Sequence, residues 1–326
     1  MNGALLKKCW RESRWLLAAC AAAIFAFCWL RVWMISRIDT ARFEAIIDLL
    51  PGDWKKFTPV DMGWLVTYAG RMSLAYDEPI VVFGVSIWAI ARGSDCVSGE
   101  LNRGTMEMLL AQPLSRLQIL LHQAAVAVVG LVVLSSAAWL GSYTGIHTTT
   151  AREEFRPVWQ LPFRIPGISG AVPKVLTEPQ IKLTPMSEKV SASDLTPASV
   201  LLFSLGFCIA GFSTLVSACD RYRWRTIGIV VGVYVVQTMA KLLGMASETW
   251  RWLTFGSFLT VYEPEAIVKQ CLDDPDLTWS LSRYDAAGEW IGLGPLGCNL
   301  ILLGIGYLAY VAAAVIFHRR DLPAPL

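Results

Sequence analysis

The chain has 326 residues, of which 55% are hydrophobic and 17% charged, with 28 Lys+Arg against 26 Asp+Glu for a net charge of +2. Soluble domains run about 45–50% apolar and about 25% charged, so this chain is too apolar and too short of charge for an ordinary soluble enzyme, and it is neither disordered nor collagen-like. The balanced charge, with no basic block, also excludes a nucleic-acid binder.

Lipid offers the backbone no hydrogen-bond partners, so a chain crosses the hydrocarbon as helices of about 20 mostly apolar residues. Taken in order, the apolar segments are 15–36, 79–91, 117–145, 198–219, 226–246 and 291–317. The second has the shortest apolar core, and its helix is expected to start further back, with Asp77 and Glu78 at the interface. Arg31 and Lys241 fall inside or beside spans and are expected to snorkel to the membrane surface. The predicted fold class is therefore all-α: a single polytopic membrane domain over 1–326, with six transmembrane helices and outer loops 37–78, 147–197 and 247–290.

Charge predicts the orientation. The two termini with 92–116 and 219–225 hold 12 Lys/Arg in 55 residues, whereas the three opposite loops hold 14 in 137. Cationic density is thus about twice as high on the side that carries both termini, which predicts that side to be cytoplasmic. Trp10, Trp15, Trp29, Trp33, Trp224, Trp250, Trp252 and Trp290 sit at span ends, as an aromatic belt requires. Leu17-Ala18-Ala19-Cys20 looks like a lipoprotein cleavage motif, but the apolar run continues past Cys20, which predicts an uncleaved first span. Of eight cysteines only Cys271 is placed in an outer loop, so no disulfide framework is expected there.

Several chemistries have no sequence basis. No Gly-x4-Gly-Lys-Ser/Thr motif exists to cradle a nucleotide phosphate. His122, His147 and His318 are far apart, which predicts no metal site. Gly167-Ile168-Ser169-Gly170 has the outline of an intramembrane serine-protease motif but lies among Pro162, Pro166 and Pro173 in an outer loop. Glu153-Glu154 lacks the histidines of a metalloprotease, and Asp273, Asp274 and Asp276 read as a solvated acidic turn. No catalytic residue is assigned, and no substrate-binding residue can be.

The segment between spans two and three, 94–123, is the most informative. A short helix is expected over 105–111, apolar on one side through Met106, Leu109 and Leu110 and ended by Pro113. Ser115 then caps the third span, with Gln118 completing a capping box. By physics alone this is an interfacial amphipathic helix followed by a sharp turn into the bilayer.

Gly99-Glu100, Arg103-Gly104-Thr105, Glu107, Leu109-Leu110, Pro113 and Ser115-Arg116 together resemble the ABC-2-type permease family, in which the loop between spans two and three carries a similar run. Phe258–Pro264 is similar to an aromatic–proline stretch that such permeases carry outside after span five, and Lys7–Trp15 is similar to the amphipathic helix that leads into their first span. The long loops 37–78 and 147–197 depart from the family pattern.

The resemblance implies a permease subunit for ATP-driven export. It implies that the eleven loop residues touch a separate ABC-type ATPase, with Glu100, Arg103 and Glu107 exposed for that contact. It also implies a second permease copy or paralogue and a place in the plasma (inner) membrane among its lipids. No cofactor is expected on this chain; ATP and Mg belong to the partner ATPase. The alternatives from other classes are a membrane enzyme with its site in the outer loops and a non-transporting anchor for an ATPase.

Overall fold

The computed structural model describes residues 3–38, 60, 62–112, 115–155, 158–159, 175–176, 180–284 and 290–320. Among these, six helical stretches are long and apolar enough to cross a membrane: Leu5–Arg37, Tyr68–Asn102, Arg116–Thr148, Ala192–Cys219, Arg223–Ala246 and Pro295–Arg319.

Helix α1 (Gly3–Arg37) has 35 residues, about 50 Å at 1.5 Å per residue, against about 30 Å of hydrocarbon. The amphipathic lead-in and the first span are therefore one unbroken helix. Its buried positions are Leu5, Cys9, Ser13, Leu17, Cys20, Ile24, Cys28, Val32 and Ile35, a stripe at steps of three and four that faces the bundle. Trp15, Trp29 and Trp33 lie exposed on other faces.

The second span is built in pieces. Helix α2 (Tyr68–Ser73) and a 3-10 turn (Leu74–Tyr76) precede a break at Asp77 and Glu78, and α3 (Pro79–Ser94) begins with Pro79 in its first turn. Proline has no N–H and disfavours helix in the residue before it, so the N-terminal extension forms a separate helix rather than a continuation. At the other end α3 runs on through a π-helical turn (Asp95–Gly99) to Asn102, a continuation that the apolar pattern did not predict. After the short helix α4 (Met106–Leu110) comes α5 (Arg116–Thr148). Ser115 accepts from the Gln118 N–H at 3.2 Å while the Gln118 side chain accepts from the Ser115 N–H at 3.0 Å, the capping box expected there.

Beyond α5 the expected loop contains strands: β1 (Thr150–Phe155), β2 (Val158–Trp159), β3 (Val175–Leu176) and β4 (Gln180–Pro185), with β1 antiparallel to β4 and β2 to β3. Helix α6 (Thr196–Cys219) then forms the centre of the bundle, with Leu201, Leu202, Leu205 and Ala210 wholly buried. By contrast, α7 (Arg223–Ala246) buries only Thr226, Val230 and Gly244. Helix α8 (Pro264–Asp273) packs across the end of the bundle on Ala266, Ile267 and Val268, and the hairpin β5 (Ser282–Tyr284)–β6 (Trp290–Leu293) leads into α9 (Pro295–Arg319). The aromatic–proline stretch seen in the sequence runs from the 3-10 turn Phe258–Val261 through Tyr262 and Glu263 to the first residue of α8.

The two charges at the spans have partners on neighbouring elements. The Arg31 guanidinium pairs with Glu78 at 3.2 Å, and Lys241 Nζ donates to the carbonyls of Leu259 and Tyr262 at 3.1 and 3.2 Å. Both thus find protein oxygens as partners while remaining partly exposed. Cys271 is buried in α8 rather than exposed. The proline-flanked motif at 167–170 lies outside the described residues.

With little hydrophobic drive between helices in lipid, association rests on close backbone approach at small residues. At the α6–α9 contact a Cβ on Gly211 would lie 2.4 Å from the Gly306 carbonyl oxygen, while on Gly228 of α7 it would meet nothing within 4 Å. Gly211→Ala is expected to destabilise the detergent-solubilised protein by about 1–3 kcal/mol through overpacking, whereas Gly228→Ala should be neutral or stabilising by up to about 1 kcal/mol. Thermal unfolding of the two variants side by side checks this.

Candidate coupling site

The start of α1, the 95–116 segment, the end of α6, the start of α7 and the end of α9 converge at one end of the bundle. Its centre is Asp95, whose side chain is only 5% exposed. Arg92 Nη2 lies 3.0 Å from its Oδ2; Arg103 Nη1 and Arg223 Nη1 lie 2.7 and 3.3 Å from its Oδ1. The Glu100 side chain is wholly buried, with Lys8 Nζ and Arg103 Nη2 each 3.1 Å from its Oε1 and the Thr105 hydroxyl donating to its Oε2. Two carboxylates thus tie together four cations from α1, α3, the loop and α7. Arg92 Nη2 also donates to Gln123 Oε1 of α5 at 3.0 Å.

The π turn makes this arrangement possible. It breaks the regular helical bonding, and two of its amides, Val97 and Ser98, donate instead to Ser217 Oγ of α6 at 3.1 and 2.9 Å. Ser98 Oγ in turn lies 3.0 Å from Thr226 Oγ1 of α7. Buried amides need partners, and a hydroxyl on a neighbouring helix supplies one. Such π turns are found mostly at functional positions.

The loop residues named from the sequence, Pro113 apart, have definable places. Gly99 lies against the Asp95 carboxylate: a Cβ there would sit 2.4 Å from Oδ1. Gly104 has φ of +71°, the left-handed region that glycine enters without strain, and it turns the chain from Asn102 into α4. Leu109 packs with Leu5 and Cys9 of α1, while Met106 packs with Cys96 and Val97 and with Phe317 of α9. Leu110 is partly buried beside both, so the apolar face predicted for this helix is the one that docks. Glu107 and Met108 face outward. Arg116 donates to the carbonyls of Phe317 and Arg320 at the end of α9, at 3.1 and 2.6 Å, where a cation suits the negative end of the helix dipole. Pro113 lies outside the described residues.

The expected exposure of Glu100 is therefore corrected, whereas Arg103 and Glu107 are exposed as expected. Glu100 is internal, while Arg103 is exposed at the surface yet turns its guanidinium to both carboxylates. Burial opposes the Arg103 charge, but the Asp95 hydrogen bond and the two acidic charges outweigh it and hold the guanidinium above its already high value. Sequence reading missed Asp95, Gln123, Ser217 and Thr226, and treated Lys8, Arg92 and Arg223 only as topology signals. The available signal was the ionisable pair Arg92 and Asp95 beside an apolar span.

A buried ionic network adds little net stability over an apolar core, but removing one partner strands the others and costs about 3–5 kcal/mol. Asp95→Ala is expected to lower stability by about that amount. Glu100→Ala should cost about 2 kcal/mol, because charge-assisted hydrogen bonds are lost while Lys8 and Arg103 retain access to water. Glu107→Ala should stay within about 0.5 kcal/mol. Thermal unfolding in detergent orders the three.

No curated protein matches the chain. A family model described as "ABC-2 family transporter protein" matches residues 10–322, from the lead-in helix, through the 95–116 segment, to the end of the last span. A match of that extent over six membrane-length helices leaves one conclusion: the chain belongs to the ABC-2 transporter family and is a multi-pass permease subunit of the ABC type.

Proposed function

We propose that this chain, paired with a second permease copy or a paralogue, forms the pathway for ATP-driven export across the plasma membrane. An ABC ATPase docks on the 99–116 segment from the cytoplasm. The supporting observation is the two-faced character of α4. Met106 and Leu109 lock one face to α1, α9 and the π turn, while Glu107 and the 71% exposed Met108 point away from the bundle. A push on the outer face has a short rigid route into α1, α3, α6 and α7 through Asp95, Glu100 and Ser217. ATP and Mg are bound and used by the partner, and this chain contributes the docking face and the helices that move.

The cytoplasmic orientation of this end rests on the excess of Lys and Arg there. Cys219, the exposed cysteine at this end, should be shielded from a membrane-impermeant thiol reagent in intact cells and react once the membrane is opened. Reaction in intact cells would overturn the orientation.

The docking role predicts a separation of effects between the two faces of α4. A charge contact at a partly desolvated interface costs about 2–5 kcal/mol when one partner is removed. Glu107→Ala and Met108→Asp should therefore leave detergent size-exclusion profiles unchanged while cutting co-purification of the cognate ABC ATPase at least tenfold. Retention equal to the parent's would exclude α4 as the docking element.

A further inference from the structure

At the opposite end of the bundle a cavity of about 250 Å³ lies between α3, α7 and α8. Its polar wall carries Asp77, Glu265, Tyr234 and Tyr262; the membrane-facing side is Pro79, Phe83, Leu242 and Met245. Glu265 is 5% exposed, lines the cavity, and has its Oε2 buried with no hydrogen-bond partner among the described residues. Asp77 is exposed at the same cavity. Lys241, the cation of the site, already donates to the Leu259 and Tyr262 carbonyls, and no ion pair within 4 Å joins it to Asp77 or Glu265 among the described residues. A buried carboxylate oxygen left without a partner is costly. Here it has a second acid at the mouth, two phenol rings beside it and apolar surface leading toward lipid.

We infer that this cavity binds a primary ammonium group carried on an apolar chain. The ammonium donates to Glu265 Oε2 and is attracted by Asp77, with the tyrosine rings as further cation-attracting surface, and the chain runs along Phe83, Leu242 and Met245. A quaternary ammonium has no N–H to donate and fits less well. The site belongs to this chain alone and does not depend on ATPase docking.

Protonation supports the chemistry. Burial, reinforced by the Asp77 charge, pushes the Glu265 carboxyl up to about 7, against the pull of its own backbone N–H and of Lys241. Glu263, the residue just before α8, is raised by burial too. The sign follows: with the folded-state value above the unfolded one, rising pH disfavours folding from the ordinary carboxylate range up to about 7, and a bound cation offsets that loss. Ammonium binding therefore strengthens as pH rises through 7, in a range where an alkylammonium, like lysine, keeps its charge.

The test uses the full chain in detergent, with n-hexylammonium as probe and n-hexanol and hexyltrimethylammonium as controls, read by thermal shift and by titration. At pH 8.5 hexylammonium should bind at least tenfold more tightly than either control and about tenfold more tightly than at pH 5.5. Glu265→Gln should remove the pH dependence and weaken binding about tenfold. If that variant does not fold, Asp77→Asn, at the exposed mouth, should weaken binding severalfold. Equal protection by hexanol, or binding unaltered by both substitutions, overturns the assignment. In nanodiscs, weaker probe binding with phosphatidylethanolamine than with phosphatidylcholine identifies a lipid headgroup as the natural occupant; equal binding identifies a free amphiphilic amine.

Discussion

The Asp95 carboxylate is almost wholly removed from water, and its two oxygens are divided among guanidinium groups from α3, the following turn and α7. A carboxylate in that setting stays ionised only if its partners hold position, so the geometry of the whole loop end depends on it. Gly99 is small because the carboxylate occupies the space of a Cβ. Arg103 is drawn inward, which brings Glu100 under it and Lys8 of α1 onto Glu100. The turn at Gly104 then lays α4 flat against the bundle. One buried charge thus fixes the place of a surface helix.

Apolar packing and the ionic network divide the work. The bundle is held by shape: α6 and α9 approach to backbone distance at Gly211 and Gly306, and α3 reaches α6 at Gly93 and Ser213. Such contacts set where helices sit but transmit motion only as rigid bodies. The polar network differs in kind, because two amides of the π turn, Val97 and Ser98, bond across to Ser217 of another helix. The end of the second span is therefore tied to the fourth and fifth by directional bonds, and the first joins through Lys8 and Glu100.

Much of this was legible in the sequence, for physical reasons that also explain what was not. Apolar length found all six spans, since the bilayer enforces it, and the Ser115–Gln118 box and the inward face of α4 followed from local patterns. The π turn left no trace in hydropathy, because its one extra residue per turn falls in a short polar stretch. Glu100 was read as exposed because it stands in a polar segment; its partner Lys8 is 92 residues away in sequence, and only the fold brings them together. The partners of Lys241 and Arg31 likewise lie on other elements and could not be read from the sequence. The strands after α5 were hidden in a long polar loop. That the segment as a whole carries function was legible from its family resemblance, not from any single residue.

The most direct measurement is residue-resolved hydrogen exchange over 95–105 in the detergent-solubilised chain, parent against Asp95→Asn. If the buried carboxylate organises this end, the Val97 and Ser98 amides are strongly protected in the parent and exchange much faster in the variant, while the α6–α9 contact around Gly211 is unchanged. Fast exchange of these amides in the parent, or protection indifferent to the loss of the Asp95 charge, would contradict it.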